Sequence, residues 1–179
     1  PFVSVKVIEP SRGWRMLNFK EFWAYRELLG VLVRRDIKVR YKQSVFGIAW
    51  VILRPLISML VFTVVFGMFA QIPSDGYPYA IFVFAGLLPW IYFSNAVLSS
   101  GRSLVDSAGL VSKVYFPRLI IPVSSAVGGL LDLFVSMAVL IIAMPFFGVG
   151  WTANLLAVPA LVLAVVVTAL GVGTLISAL

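Results

Sequence analysis

The stretch VFGIAWVILRPLISMLVFTVVFGMFA, Val45 to Ala70, carries a single charge, Arg54, in an otherwise largely apolar run. At about 1.5 Å per helical residue it is long enough to cross a hydrocarbon core of ~30 Å with some tilt. Three more runs of the same kind follow, at about 79–100, 119–147 and 154–179. All four are continuous rather than alternating, which favours helices over the strands of a membrane β-barrel. The expected fold class is all-α: a polytopic membrane protein with at least four transmembrane helices.

The charges outside these runs set the orientation. Ten of the fourteen Lys and Arg residues lie between Lys6 and Lys42, and Arg102, Lys113 and Arg118 form a second group between the second and third runs. The segments 71–79 and 148–153 carry no Lys or Arg. That alternation is the positive-inside pattern, with the N-terminus and the 101–118 segment in the cytoplasm. At 61% hydrophobic residues the chain exceeds what a soluble core absorbs. The formal charge of +7 fits anionic lipid headgroups next to the first span better than nucleic acid. The first run starts too late and is too long for a cleavable signal peptide. The chain opens on Pro1 and ends inside an apolar run at Leu179, so we expect it to be part of a longer protein. We find no internal repeat, and the inverted-repeat architecture of many secondary transporters is not supported.

Three regions follow. Residues 1–18 form a polar tail. Residues 19–42 read as a cytoplasmic amphipathic interface helix with a basic segment: Phe19, Phe22, Trp23, Leu29, Val33 and Ile37 share one stripe, with Lys20, Glu21, Glu27, Arg34 and Arg35 opposite. Residues 43–179 are the transmembrane domain, with a cytoplasmic loop at about 101–118. Trp151, in the short loop after the third run, suits the headgroup belt.

No catalytic set is visible. The chain has no Cys and no His, no paired carboxylates in its spans and no GxxxxGK[ST] phosphate loop. Two charges interrupt the spans, and charge in hydrocarbon is costly enough that each should face protein or water. Arg54 either lines a permeation path, pairs with Asp132, or snorkels to the headgroups past Pro55. Asp132 shares a helical face with Gly128 and Ser136, the small-residue spacing of packed membrane helices, and a packing role is favoured over a proton relay. Phe62, Phe66 and Phe69 form an aromatic stripe in the first span, and Trp90, Tyr92 and Phe93 cluster in the second. With Trp50 and Arg54 they are the channel-lining candidates, since aromatic faces suit the apolar C–H faces of sugars. For any single one, lipid-facing or interhelical packing is the simpler role.

The stretch from Arg35 through Tyr41 to Trp50, continuing to Arg54, Pro55 and Leu56, resembles the start of the first span of ABC-2 type permeases that export cell-surface polysaccharide: O antigen, teichoic acid or capsule. Gly86 to Trp90, and Val111 to Arg118 leading to Pro122, are similar as well. The resemblance implies a six-span permease in the bacterial inner membrane, working as a homodimer with two copies of a separate ATP-binding cassette subunit. ATP and Mg would be bound there, and this chain would hold no cofactor. It implies that the loop after the second span couples to the ATPase, here through Asp106, Leu110, Val111, Lys113, Val114, Tyr115 and Phe116. The expected substrate is a polyprenyl-linked polysaccharide, whose pyrophosphate would be drawn to Arg34, Arg35, Lys38, Arg40 and Lys42. Simple topology and headgroup anchoring would account for the same cations. The alternatives are an ABC-2 exporter of drugs or lipids, and, from other classes, a membrane-embedded transferase or a scaffold.

Overall fold

A computed structural model describes residues 19–42, 49–69, 71, 73–113 and 116–178. Every regular element among them is helical. In order they are α1 (Phe19–Ala24), α2 (Arg26–Lys42), α3 (Ala49–Phe62) running on as a π-helical segment (Thr63–Phe69), α4 (Tyr79–Asp106), α5 (Ala108–Val111), α6 (Ile120–Gly128), α7 (Leu130–Phe146), a 3-10 turn (Ala153–Ala157) and α8 (Val158–Ala178). Four stretches are long and apolar enough to cross a membrane: Ala49–Phe69, Tyr79–Asp106, Ile120–Phe146 and Ala153–Ala178. They overlap the four expected runs, of which 45–48, 70 and 179 lie outside the described residues, and the chain is a multi-pass membrane protein.

One boundary differs. The second span was expected to end near Ser100, yet α4 continues through Gly101 and Arg102 to Asp106. The apolar run does stop at Ser100, but helix does not need apolar residues once it has left lipid. Ser103 and Leu104 keep packing on neighbouring helices. The expected 101–118 loop therefore shortens to the α5 turn and its flanks.

The helix ends follow from local chemistry. After α7, Gly148 takes a φ of +76°, its N–H donates to the Pro145 carbonyl, and the Val149 N–H donates to the Met144 carbonyl. This is the Schellman closure, which favours glycine at that position. Pro145 has no N–H for the carbonyl of Ile141, and the Trp151 indole donates to that carbonyl instead at 3.3 Å. Trp151 thus caps a proline gap as well as sitting at an exposed loop.

α4 is the central helix and packs against α3, α6, α7 and α8. Phe84, Leu88, Tyr92, Ala96 and Ser100 recur every fourth residue, which puts them on one face, and all are buried. Ala126, Leu133 and Ala169 complete that core. Small residues let the backbones approach: a Cβ at Gly173 would stand 2.8 Å from Ser100 Cβ. Gly173→Val should therefore force α8 off α4 and cost about 1–3 kcal/mol, the usual penalty of overpacking. A thermal unfolding scan of the purified protein would show it, and an unchanged transition would count against this contact.

A second cluster lies beside the first. Leu32 of α2 packs with Phe116, Ile120 and Ile121, flanked by Tyr25, Leu28, Leu29, Leu104, Leu110 and Val111. α2 thus lies along α6, with Asp36 beside Gly128 at ordinary packing distance. Of the expected stripe, Phe22 and Leu29 pack inward with Leu28 and Leu32, while Trp23 of α1 is exposed with the Arg26 guanidinium over its ring. The inner spans do most of the packing. Only 6% of the apolar window of the first and fourth spans is buried, against 28% and 22% for the second and third. The first and fourth therefore present their apolar surface outward, to lipid or to other helices.

Candidate functional site

The end of α2, the start of α3, the middle of α4 and the start of α7 converge on one cavity of about 140 Å³. Its polar wall is Arg40 and Tyr41 from α2, Arg54 from α3, Asn95 from α4 and Asp132 and Ser136 from α7. Trp50, Ile91 and Tyr92 contribute apolar and aromatic surface.

Asp132 is the hub. Arg40 Nη1 donates to its Oδ2 at 2.6 Å, and the Tyr41 hydroxyl donates to its Oδ1. Each carboxylate oxygen has its own donor, one of them cationic, which is the stronger class of hydrogen bond. Burial, and then the hydrogen bond to Asp132, hold the Tyr41 phenol well above its ordinary range. It stays protonated at any physiological pH and so remains a donor. Arg54 shares the cavity but is not in ion-pair contact with Asp132, so the pairing of Arg54 with Asp132 weighed from the sequence goes to Arg40 instead. Among the described residues Arg54 has no carboxylate partner. Two guanidinium groups against one carboxylate leave the cavity with a formal charge of +1.

The cavity's depth can be read from three helices. Arg54, Asn95 and Asp132 line it, and the ends of their spans farthest from α2 are Phe69, Tyr79 and Phe146. At about 1.5 Å per residue each separation is ~21–24 Å. Against a ~30 Å hydrocarbon core, the cavity falls in the third of the span length nearest α2. Asp132 lies midway along the third span in sequence, yet it stands level with the start of the first, because α6 is occupied in packing against α2. The charges are thus held where water and headgroups are near, which lowers their cost.

The other aromatic candidates separate. Tyr92 is buried in the core, with its hydroxyl on the Ala126 carbonyl at 3.3 Å, and shows the cavity only part of its ring. Trp90 is exposed on a different face and packs with half-buried Phe93, centroids 6.1 Å apart. Phe62 and Phe66 stack at 5.4 Å on the outward face of the first span, with Phe69 exposed above them. The π-helical wind begins at Thr63, whose hydroxyl donates to the Met59 carbonyl. Leu88 and Leu133 divide the polar cavity from a second, almost wholly apolar one of about 220 Å³ between α4, α7 and α8.

Of the cations expected at the entrance, Arg40 reaches the cavity. Arg35 pairs with its neighbour Asp36 at 3.0 Å, while Arg34, Lys38 and Lys42 are exposed. In the expected coupling segment, Asp106 and Lys113 are exposed, Leu110, Val111 and Phe116 turn inward onto the α2 cluster, and Val114 and Tyr115 lie outside the described residues. Sequence reasoning did not single out Tyr41 or Asn95. No local pattern marks Tyr41, whose partner is 91 residues away.

Residues 27–179 match the family described as ABC-2 type transporter. An O-antigen export system permease protein RfbA of Myxococcus xanthus is 33% identical over 144 residues, covering 80% of this chain and 55% of that protein. Two permeases of the same name from Klebsiella pneumoniae are 39% and 32% identical, covering 55% and 68% of this chain and 38% and 46% of their own lengths. The chain thus spans about half the length of the curated relatives it matches. With four apolar spans in the expected order and a family match across nearly all of its described length, this chain belongs to the ABC-2 type transporters.

Proposed function

We propose that this chain is part of the transmembrane subunit of an ATP-driven exporter of a lipid-linked cell-surface polysaccharide, O antigen or a close chemical relative. The observation that carries the reading is the cationic cavity at the α2 end of the spans, between the basic α2 and the first span. An anionic lipid-linked diphosphate approaching from the inner leaflet would meet Arg40 and Arg54 there, and such charge-assisted contacts are the strong ones. The apolar cavity beyond Leu88 and Leu133 suits the lipid part of the same molecule. The names of the relatives agree with this substrate class.

In this reading the permease contains no ATPase chemistry of its own. ATP and Mg are bound by a separate ATP-binding cassette subunit at the cytoplasmic side. The α5 turn and the exposed Asp106 and Lys113 beside it receive that subunit's motion. Leu110, Val111 and Phe116 carry it to α2 and α6, on which they pack. A second copy of the permease faces the outward aromatic stripe of the first span, so that Phe62, Phe66 and Phe69 line a sugar path. The N-terminus is cytoplasmic and the membrane is the bacterial inner membrane.

The full-length permease reconstituted with its ATP-binding subunit tests this. A polyprenyl-diphosphate-linked glycan should raise ATP hydrolysis several-fold, whereas amphiphilic drugs of similar size should not. Equal stimulation by both would favour a drug or lipid exporter.

A further inference from the structure

Arg40 and Tyr41 do more in this structure than present a positive surface, because a carboxylate of the same chain already holds them. Asp132 accepts from Arg40 through one oxygen and from Tyr41 through the other, as a bound anionic ligand would. The last turn of α2 is otherwise exposed: Lys38, Val39 and Lys42 face outward, and the deeply buried contact of the helix lies back at Leu32. Among the described residues the Asp132 clasp is therefore the polar tie between the end of α2 and the transmembrane bundle. Arg54 stands in the same cavity with no carboxylate partner among the described residues.

We propose that Asp132 is an internal competitor for phosphate: a phosphate-bearing headgroup, met first by Arg54, takes Arg40 and Tyr41 from Asp132 and frees the end of α2. A diphosphate brings more charge than one carboxylate and can bridge both guanidinium groups, which favours the exchange. The displaced carboxylate then repels the headgroup, so α2 must part from α7 for both to be accommodated. Asp132 is a positioning residue that sets how readily the cavity accepts an anion. This rests on the substrate reading above only for the source of the phosphate.

The test is ligand binding by the full-length permease in phosphatidylcholine nanodiscs, with polyprenyl diphosphate, phosphatidylglycerol and inorganic pyrophosphate as separate probes. Asp132→Asn should bind polyprenyl diphosphate about tenfold more tightly, the change expected if the clasp leaves only about a tenth of molecules competent. Asp132→Ala, which likewise opens the clasp and leaves both Arg40 and Tyr41 to the headgroup, should tighten binding to a similar degree. Arg40→Gln should weaken binding and remove the gain when combined with Asp132→Asn, and Asp132→Glu should restore parental affinity. If neither Asp132→Asn nor Asp132→Ala tightens any probe, the competitor role is overturned. A matching gain for phosphatidylglycerol would keep the competitor and assign the headgroup to bulk phospholipid, which would count against the export reading of the cavity. An equal gain for inorganic pyrophosphate would keep it and assign the site to a free diphosphate.

Discussion

Phe116→Ala is expected to destabilise the protein by about 3–5 kcal/mol, the range for removing a well-packed aromatic side chain. Phe116 is 6% exposed and sits where α2, α5, α6 and the lower end of α4 meet. The cavity left behind would loosen Leu32, Ile120 and Ile121 together, because they share that one cluster. The functional consequence follows from position. If α5 takes up the motion of an ATPase, that motion reaches α2 only through a packed joint, and a void at the joint absorbs it. The variant should therefore hydrolyse ATP with its partner subunit yet export little, with the amides of α5 exchanging hydrogen faster. Phe116→Leu, which keeps most of the volume, should stay within about 1.5 kcal/mol of the parent and keep most of its transport. A Phe116→Ala protein as stable as its parent would remove the cluster from the coupling path.

The spans and their order were legible in the sequence because apolar length and flanking charge are local properties. Val45 to Ala70 shows its length without reference to any other residue, and the basic flank before it is equally plain. The site was only half legible. Arg54 and Asp132 stood out, since a charge inside an apolar run is conspicuous wherever it points. What could not be read was which partner each would take. The choice of Arg40 over Arg54 for Asp132 depends on α2 running along α6, and that depends on Leu32 fitting beside Ile120 and Ile121. Those are contacts between segments some 90 residues apart, with no periodic trace. For the same reason nothing in the sequence shows what Leu110 and Val111 of the expected coupling segment pack against. The structure supplies that surface from α2.

Replacing the ion pair by apolar residues should separate stability from transport. Arg40→Met alone leaves Asp132 with only the Tyr41 donor, and Asp132→Leu alone leaves Arg40 without its acceptor. Removing one partner of a buried pair costs several kcal/mol, but these two side chains are 35% and 32% exposed, so about 1–2 kcal/mol is expected for each single change. The double variant Arg40→Met with Asp132→Leu should recover to within about 1 kcal/mol of the parent, because no uncompensated charge remains and the apolar pair can pack. Export should not recover. The double variant keeps a single guanidinium, that of Arg54, and its α2 is fastened by contacts that no phosphate can compete for. Unfolding measured across the four members of the cycle, with surface polymer scored in the same cells, would test both halves. Strictly additive losses of stability would mean that Arg40 and Asp132 do not act as a pair. Parental export from the double variant would mean that the cavity is structural and that the substrate passes elsewhere.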